Sequence, residues 1–143
     1  MIESHFCAAL AGRVQIHTAR YGSDEEVGRI WIVLDKKQIF SAADNSSPNR
    51  PVWYSEDGCV YWNVSDGRYS CESHSKSYLN YSIEEALAST DELTRALVMF
   101  DKRVGKRRLH SLMDEMTSAP LLVRHFYAIR CHAEGIESDR HAL

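Results

Sequence analysis

The sequence predicts an α+β protein whose sheet-rich part, residues 1–81, precedes a helical part, residues 82–143. From Arg13 to Val64, apolar residues mostly recur at every second position, which is typical of strands. From Ser82 to Gly135 they recur at every third or fourth position, which is typical of amphipathic helices. A length of 143 residues suits a single domain. We therefore expect an N-terminal helix, an antiparallel sheet of about four or five strands, and a C-terminal cluster of three or four helices.

The chain is predicted to begin with a short helix and two strands. Glu3 to Leu10 has apolar residues four positions apart and is followed by Gly12, a residue suited to the left-handed conformation of a helix cap. Alternation from Arg13 to Tyr21 indicates a half-buried strand. Val27 to Leu34 is nearly all apolar and rich in β-branched residues, so it is predicted to be a central strand that is buried on both faces.

Turn and loop signals separate the later strands. Asp35-Lys36-Lys37 is predicted to turn the chain into an antiparallel strand over Gln38 to Ala43. Asn45 to Pro51 is predicted to be a surface loop, because Asn, Ser and Pro favour turns over strands. The Asp57-Gly58 pair predicts a hairpin turn. The remaining predicted strands are Val52 to Ser55, Cys59 to Val64, and a short one over Arg68 to Cys71.

The helical part contains its own boundary signals. Ser82 followed by Glu85 is the pattern of a capping box. Gly105 ends one apolar stripe, and Pro120 suits the first turn of a helix, where a missing N–H leaves no bond unmade. The predicted helices are Ser82 to Leu87, Asp91 to Val104, Arg107 to Met116, and Pro120 to Gly135.

The densest charge in the sequence lies between the second and third predicted helices. We call this segment, residues 102–108, the basic corner, and its cations are Lys102, Arg103, Lys106, Arg107 and Arg108. In one interpretation, the cations complement the negative end of a helix dipole or are solvated. In the other, they bind a phosphate ligand or nucleic acid, together with the free N–H groups at the start of the next helix.

Asp101 directly precedes the basic corner. An acid near the C-terminus of a helix is unfavourable, because the helix dipole is negative there. We therefore expect Asp101 to form a structural ion pair with Arg107, Arg108 or Arg130 that shapes the corner.

Val98 and Met99 fall outside the apolar stripe of their predicted helix. If no neighbouring helix covers this side, the two residues form an exposed apolar patch that contacts another chain. Self-association as a homodimer is the simplest use of such an interface.

Charge and hydropathy exclude several classes of protein. A net charge of −3 argues against a protein that binds nucleic acid or anionic lipid over most of its surface. The longest strictly aliphatic and aromatic run, Ile30 to Leu34, is far shorter than a membrane span. The start of the chain, Met1 to Ala11, lacks the basic leader of a signal peptide. We expect a cytoplasmic protein with reduced cysteines and no membrane contact.

Known patterns of metal, cofactor and catalytic sites do not occur in the sequence. His125 and His132 share a helix face, but seven residues separate them by about 10.5 Å, too far for one ion. The cysteines contain no C-x-x-C pair. A catalytic set chosen from the polar segment Ser65 to His74 would be arbitrary. We expect no metal, no cofactor and no catalytic residue, and a hydrolase using His74 or His125 is the catalytic alternative.

Four segments resemble a family of small uncharacterised bacterial proteins: Gly12-Arg13-Val14, Gly28 to Ile32, Leu97 to Leu109, and Leu122 to Gly135. The resemblance implies a cytoplasmic bacterial protein of unknown role, with carriage on mobile DNA as one setting. It brings no catalytic residue. Lys36 departs from the pattern, because a glycine is expected after the acid of the first hairpin.

The sequence thus favours a non-catalytic protein that binds an unidentified protein partner, with the helical part supplying much of the contact surface and with self-association as a homodimer. The alternative is a nucleic-acid or phosphate-ligand binder that uses the basic corner. A loss of affinity with increasing salt separates this alternative from the first interpretation.

Overall fold

The structure is a computed structural model that describes residues 2–20, 27–44, 52–54, 58–64, 81–89 and 91–136. The chain divides into two units. We call residues 12–76 the sheet unit, and residues 1–11 together with 77–143 the helical unit. Residues 1–11 therefore belong with the helices, although the sequence pattern grouped them with the strands.

The sheet unit begins with three antiparallel strands: β1 (Val14–Arg20), β2 (Val27–Leu34) and β3 (Lys37–Asp44). Strand β2 lies between the other two, so its interior position is as predicted. Ile30 and Ile32 are buried, whereas Trp31 is only half-buried. The strand is therefore buried on one face and not on both, because consecutive side chains of a strand point to opposite faces.

Two further strands, β4 (Val52–Tyr54) and β5 (Val60–Val64), extend the sheet beside β3 in the order β1-β2-β3-β5-β4. They pair antiparallel with each other, as the predicted hairpin requires. Strand β5 runs parallel to β3, so the prediction of a wholly antiparallel sheet is wrong at this pair. A parallel pair needs a long return connection, and the chain segment that contains β4 provides it.

The α+β class is confirmed, since helices follow the three antiparallel strands along the chain. The helices of the helical unit are α1 (Ile83–Leu87), α2 (Glu92–Leu97), α3 (Lys106–Ser111) and α4 (Leu121–Glu134), with short 3₁₀ helices at Val98–Phe100 and Glu115–Thr117.

Local signals explain most of the helix ends. The Ser82 hydroxyl accepts a bond from the backbone N–H of Glu85, and the Glu85 carboxylate accepts one from that of Ser82, so the capping box is present. Helix α4 follows Pro120 and ends at Gly135 in the left-handed conformation. The second predicted helix is wrong beyond residue 97, because the chain tightens into a 3₁₀ turn and Gly105 is the N-cap of α3.

The predicted N-terminal helix is not an α-helix. Ile2–His5 forms a single 3₁₀ turn, and Phe6 then pairs with Asp101 in an isolated antiparallel bridge. The backbone N–H of Cys7 donates to the Phe100 carbonyl at 2.8 Å. The rings of Phe6 and Phe100 meet edge to face, with centroids 5.6 Å apart. These bonds to a distant segment replace the helical bonds that the sequence pattern suggested.

An aromatic stack lies in the core of the helical unit. The rings of Phe100 and Phe126 are nearly parallel, with an interplanar angle of 4° and centroids 4.6 Å apart. Both residues are completely buried. Helix α4 therefore packs directly against the 3₁₀ helix Val98–Phe100, and this contact fixes the segment that leads into the basic corner.

Three predicted features lie outside the described residues: the loop Asn45 to Pro51, the strand Arg68 to Cys71, and the polar segment Ser65 to His74. Among the residues that the structure describes, no helix is long and apolar enough to cross a lipid bilayer.

The turn between β2 and β3 contains two consecutive left-handed residues. Asp35 has a φ of 51° and Lys36 a φ of 70°. Two such residues make a turn of type I′, whose twist suits a two-residue hairpin. The Arg13 guanidinium donates to both Asp35 carboxylate oxygens, with Nη2 2.7 Å from Oδ2, and these bonds lower the pKa of Asp35. Lys36 thus adopts the conformation for which glycine was expected, and its Cβ is strained there.

We expect Lys36→Gly to raise the free energy of unfolding by about 0.5–1 kcal/mol. Glycine removes a left-handed strain of roughly 1–2 kcal/mol, and the greater freedom of the unfolded chain cancels part of that gain. Urea unfolding of both proteins measures the change. Lys36→Ala is the control, because it shortens the side chain but keeps the Cβ, and it should change stability by less than about 0.5 kcal/mol. Equal stability of the two variants would contradict strain at this position.

Candidate functional site

The basic corner is arranged around Arg130, a buried residue of α4. Its Nη1 donates to the carbonyl oxygens of Met99 and Asp101, each at 2.9 Å, and its Nη2 donates to that of Val104 at 2.6 Å. Nε and Nη2 also donate to the Glu134 carboxylate, at 3.2 and 3.0 Å. One guanidinium therefore holds three carbonyl groups in the connection between α2 and α3.

Asp101 is buried within this connection, and its side chain has no exposed surface. Its Oδ1 accepts bonds from the backbone N–H and the Nε of Arg103, at 2.8 and 3.1 Å, and its Oδ2 accepts one from Nη2 at 2.9 Å. The Asp101 carboxylate therefore forms its ion pair with Arg103. The prediction that it pairs with Arg107, Arg108 or Arg130 is wrong. A partner two residues away is reached because the chain turns here instead of continuing as a helix.

Arg108 also has a carboxylate partner. Its Nη2 lies 2.6 Å from Oε1 of Glu84 in α1, and hydrogen bonds from Arg108 lower the pKa of the Glu84 carboxyl. Both side chains are well exposed, so water and salt weaken this pair. Arg103 and Arg108 are therefore both engaged within the helical unit.

Tyr127 of α4 fixes the position of α3. Its hydroxyl donates to the carbonyl oxygen of Leu109 at 2.6 Å, and both residues are buried. Burial, together with the nearby Cys131, raises the pKa of Tyr127 well above its ordinary value. The hydroxyl therefore remains a protonated donor at all physiological pH values, and α3 is tied to the longest helix of the unit.

Arg103 and Arg108 are paired with carboxylates, which leaves three other cations in the basic corner. We call these three, Lys102, Lys106 and Arg107, the cationic triplet. All three are exposed. Within the part of the chain that the structure describes, none of them forms an ion pair. The backbone N–H of Lys102 donates to the His5 carbonyl at 2.7 Å, so the main chain is held while the side chain faces solvent.

Val98 and Met99 are completely buried, so they are wrong as candidate interface residues. The prediction assumed a continuous α-helix with an uncovered far side. The structure has a 3₁₀ helix at Val98–Phe100, and both α1 and α4 contact it. The side that the sequence pattern left uncovered therefore lies in the core.

A cleft of about 250 Å³ opens beside α3. Its lining is mixed, since apolar residues such as Leu87, Leu112 and Met116 alternate with charged ones. Two ion pairs stand at its edge, Arg108 with Glu84 at 2.6 Å and Arg95 with Glu115 at 3.6 Å. Sequence reasoning missed the cleft, because its lining comes from three separate segments between residues 84 and 116 that only the folded chain brings together.

Among the described residues, His17, His125 and His132 lie in different surroundings. His125 is buried beside the ring of Phe126, whereas His132, seven residues later, is exposed. His17 stacks on Trp31 with ring centroids 5.3 Å apart. His74 lies outside the described residues. In the described part of the chain, no three or more metal-ligating side chains are grouped so that they could hold one ion.

Comparison with known proteins gives one kind of match. The model of the SF0329 protein family matches residues 1–73 and 67–131, which together cover most of the chain. No curated protein and no solved structure matches. The family description states no activity.

We expect Arg130→Met to lower the free energy of unfolding by about 3–5 kcal/mol, because three carbonyl groups and the Glu134 carboxylate lose their donor in a buried place. Urea unfolding followed by circular dichroism measures the loss. Arg107→Met is the matched control, since it makes the same exchange at an exposed cation, and it should change stability by less than about 0.5 kcal/mol. Similar losses in the two variants would contradict the role of Arg130.

We expect Tyr127 to make the protein less stable at alkaline pH. Because its pKa is raised on folding, its contribution is complete below the pKa of an unfolded tyrosine, about 10, and is lost as the pH rises beyond it. Between about pH 10 and 11, wild type should lose about 1 kcal/mol more than Tyr127→Phe. Urea unfolding of both proteins across this range measures the difference. A difference that does not change with pH would refute the raised pKa.

Proposed function

The chain belongs to the SF0329 protein family, and we propose that it is a non-catalytic binding protein that docks a negatively charged macromolecule on the cationic triplet. The supporting observation is that Lys102, Lys106 and Arg107 are exposed and unpaired in the described structure, while the main chain that carries them is fixed by Arg130. Such a surface suits binding, because the backbone loses little freedom when a partner arrives.

The position of two of these cations argues against a purely structural role. Lys106 and Arg107 lie in the first turn of α3, at the positive end of the helix dipole. Cations are unfavourable there, so the dipole interpretation from the sequence does not explain them. Helix α3 has only six residues, and Gly105 gives it no side-chain cap. The proposal therefore rests on the side chains of the triplet and not on the N–H groups of the helix.

The net charge of the whole chain limits the class of partner that the triplet attracts. With a net charge of −3, the protein has no general attraction for polyanions. A local group of cations instead selects an acidic patch on a partner and increases the rate of encounter. A protein partner suits this arrangement better than nucleic acid, which usually requires a positive excess over the binding domain.

The finer expectations from the sequence belong to the same proposal. A bacterial cytoplasmic location is consistent with Cys7, Cys59 and Cys131, which are buried thiols. Self-association as a homodimer is proposed without the support of Val98 and Met99, which are buried. Sedimentation of the purified protein measures the oligomeric state independently of any partner.

We expect Lys106→Gln with Arg107→Gln to weaken capture of the partner about tenfold or more, because two charged contacts are lost. The measurement is a pull-down with the full-length tagged protein from bacterial lysate, with and without nuclease. The matched control is Lys36→Gln with Lys37→Gln, which removes two adjacent exposed cations from the sheet unit and leaves the same net charge.

The proposal is supported by a stoichiometric protein that wild type and the control capture and the Lys106/Arg107 variant loses. Loss of the captured material after nuclease treatment would support the nucleic-acid alternative instead. Equal capture by the two double variants would refute a role of the triplet in binding.

A further inference from the structure

The two ion pairs of the cleft differ in how well they are formed. Arg108 donates two hydrogen bonds to the Glu84 carboxylate, at 2.6 and 3.3 Å, so its guanidinium is engaged. Arg95 approaches Glu115 only to 3.6 Å, which is too long for a hydrogen bond. Among the described residues, no closer acceptor is bonded to the Arg95 side chain. The donors of Arg95 are therefore open at the cleft that this residue lines.

The partial burial of Arg95 gives these open donors a consequence for binding. Its side chain is 21% exposed, so water reaches only part of it. A cation that loses hydration without gaining acceptors is costly. The planar guanidinium matches a carboxylate, which accepts two parallel hydrogen bonds from it. A carboxylate that enters the cleft therefore supplies acceptors that the described part of the chain does not.

The charges of the lining limit the net charge of such a ligand. Two arginines and two glutamates line the cleft, so its positive and negative groups balance. The glutamates repel an anion with several charges, such as a phosphate ester. The Glu115 side chain is 56% exposed, and its carboxylate accepts no hydrogen bond from a described residue. A ligand with one carboxylate and one ammonium group complements both Arg95 and Glu115 and leaves the charges balanced.

The spacing of the two charges and the size of the cleft indicate a compact ligand. Arg95 Nη2 and Glu115 Oε1 are 3.6 Å apart, so opposite charges of the protein are adjacent. In a free α-amino acid, the ammonium nitrogen and the carboxylate carbon are two bonds apart, about 2.5 Å. The cleft volume of about 250 Å³ is below the roughly 300–1,000 Å³ that is usual for ligand pockets, which suits a molecule of this size.

We propose that the cleft binds a free α-amino acid, whose carboxylate accepts hydrogen bonds from Arg95 and whose ammonium group donates to Glu115. The site goes beyond the proposed function, because no residue of the cationic triplet lines the cleft.

The test is isothermal titration calorimetry of the full-length protein with a panel of the common α-amino acids. The amino acid that binds best is compared with two analogues, one without the amino group and one without the carboxylate. Arg95→Gln removes the proposed partner of the carboxylate, and Glu115→Gln removes that of the ammonium group. Arg13→Gln is the matched control, since Arg13 is an exposed arginine of the sheet unit that is also paired with a carboxylate. Circular dichroism verifies that the three variants fold.

We expect at least one amino acid to bind, with a Kd in about the micromolar to millimolar range. Its Kd should rise about tenfold or more in Arg95→Gln and in Glu115→Gln, because each variant lacks one charged contact, and should stay unchanged in Arg13→Gln. Both analogues should bind wild type about tenfold more weakly than the amino acid.

Three results would overturn the inference. The first is that no amino acid binds at about 10 mM. The second is that Arg95→Gln binds the amino acid as well as wild type does. The third is that the analogue without the amino group binds as well as the amino acid and binds more tightly to Glu115→Gln. That result would identify a site for simple anions, in which Glu115 only competes for Arg95. The triplet is unchanged in all these variants, so the proposed function is tested separately.

Discussion

The helical unit depends on the buried guanidinium of Arg130. The connection between α2 and α3 has too few helical bonds to satisfy its carbonyl groups, and Arg130 donates to three of them. Burying a cation is costly unless it is paired and fully hydrogen-bonded, and the Glu134 carboxylate one turn later supplies the pair. Several free donors on one rigid planar group make arginine suitable for this place, which a lysine with a single ammonium would not fill. The shape of the basic corner follows from this one residue.

The cations of the corner consequently divide into two groups. Arg103 holds the Asp101 carboxylate and Arg108 joins α3 to α1, so both contribute to the arrangement of the main chain. The triplet has no such contact among the described residues, and its backbone is held by bonds that do not involve its side chains. A run of five cations that looks uniform in the sequence therefore contains residues with different physical roles, and only geometry distinguishes them.

Short sequence patterns predicted the features that depend on interactions between residues close together in the chain. Periodicity indicated the strands and the α+β class, and the Ser82 capping box and Gly135 marked helix ends correctly. The failures share a non-local cause. Phe6 bridges to Asp101, β5 runs parallel to β3, and the chain leaves the helix after residue 97, each through contacts with residues distant in sequence. The cationic part of the candidate site was visible as composition, whereas the cleft was not, since three separate segments between residues 84 and 116 form its lining only in the folded chain.

The residues that hold the corner are separate from the exposed cations to which binding is assigned in the proposed function. Exposed charges act over about a Debye length, near 8 Å at physiological salt, so in the proposed binding the triplet mainly affects encounter and is weakened by salt. Because the triplet side chains take no part in holding the corner, removing their charge leaves Arg130 and Asp101 in place. Folding of the corner and the proposed binding are therefore physically separable, because the residues that stabilise the corner differ from the exposed cations of the triplet.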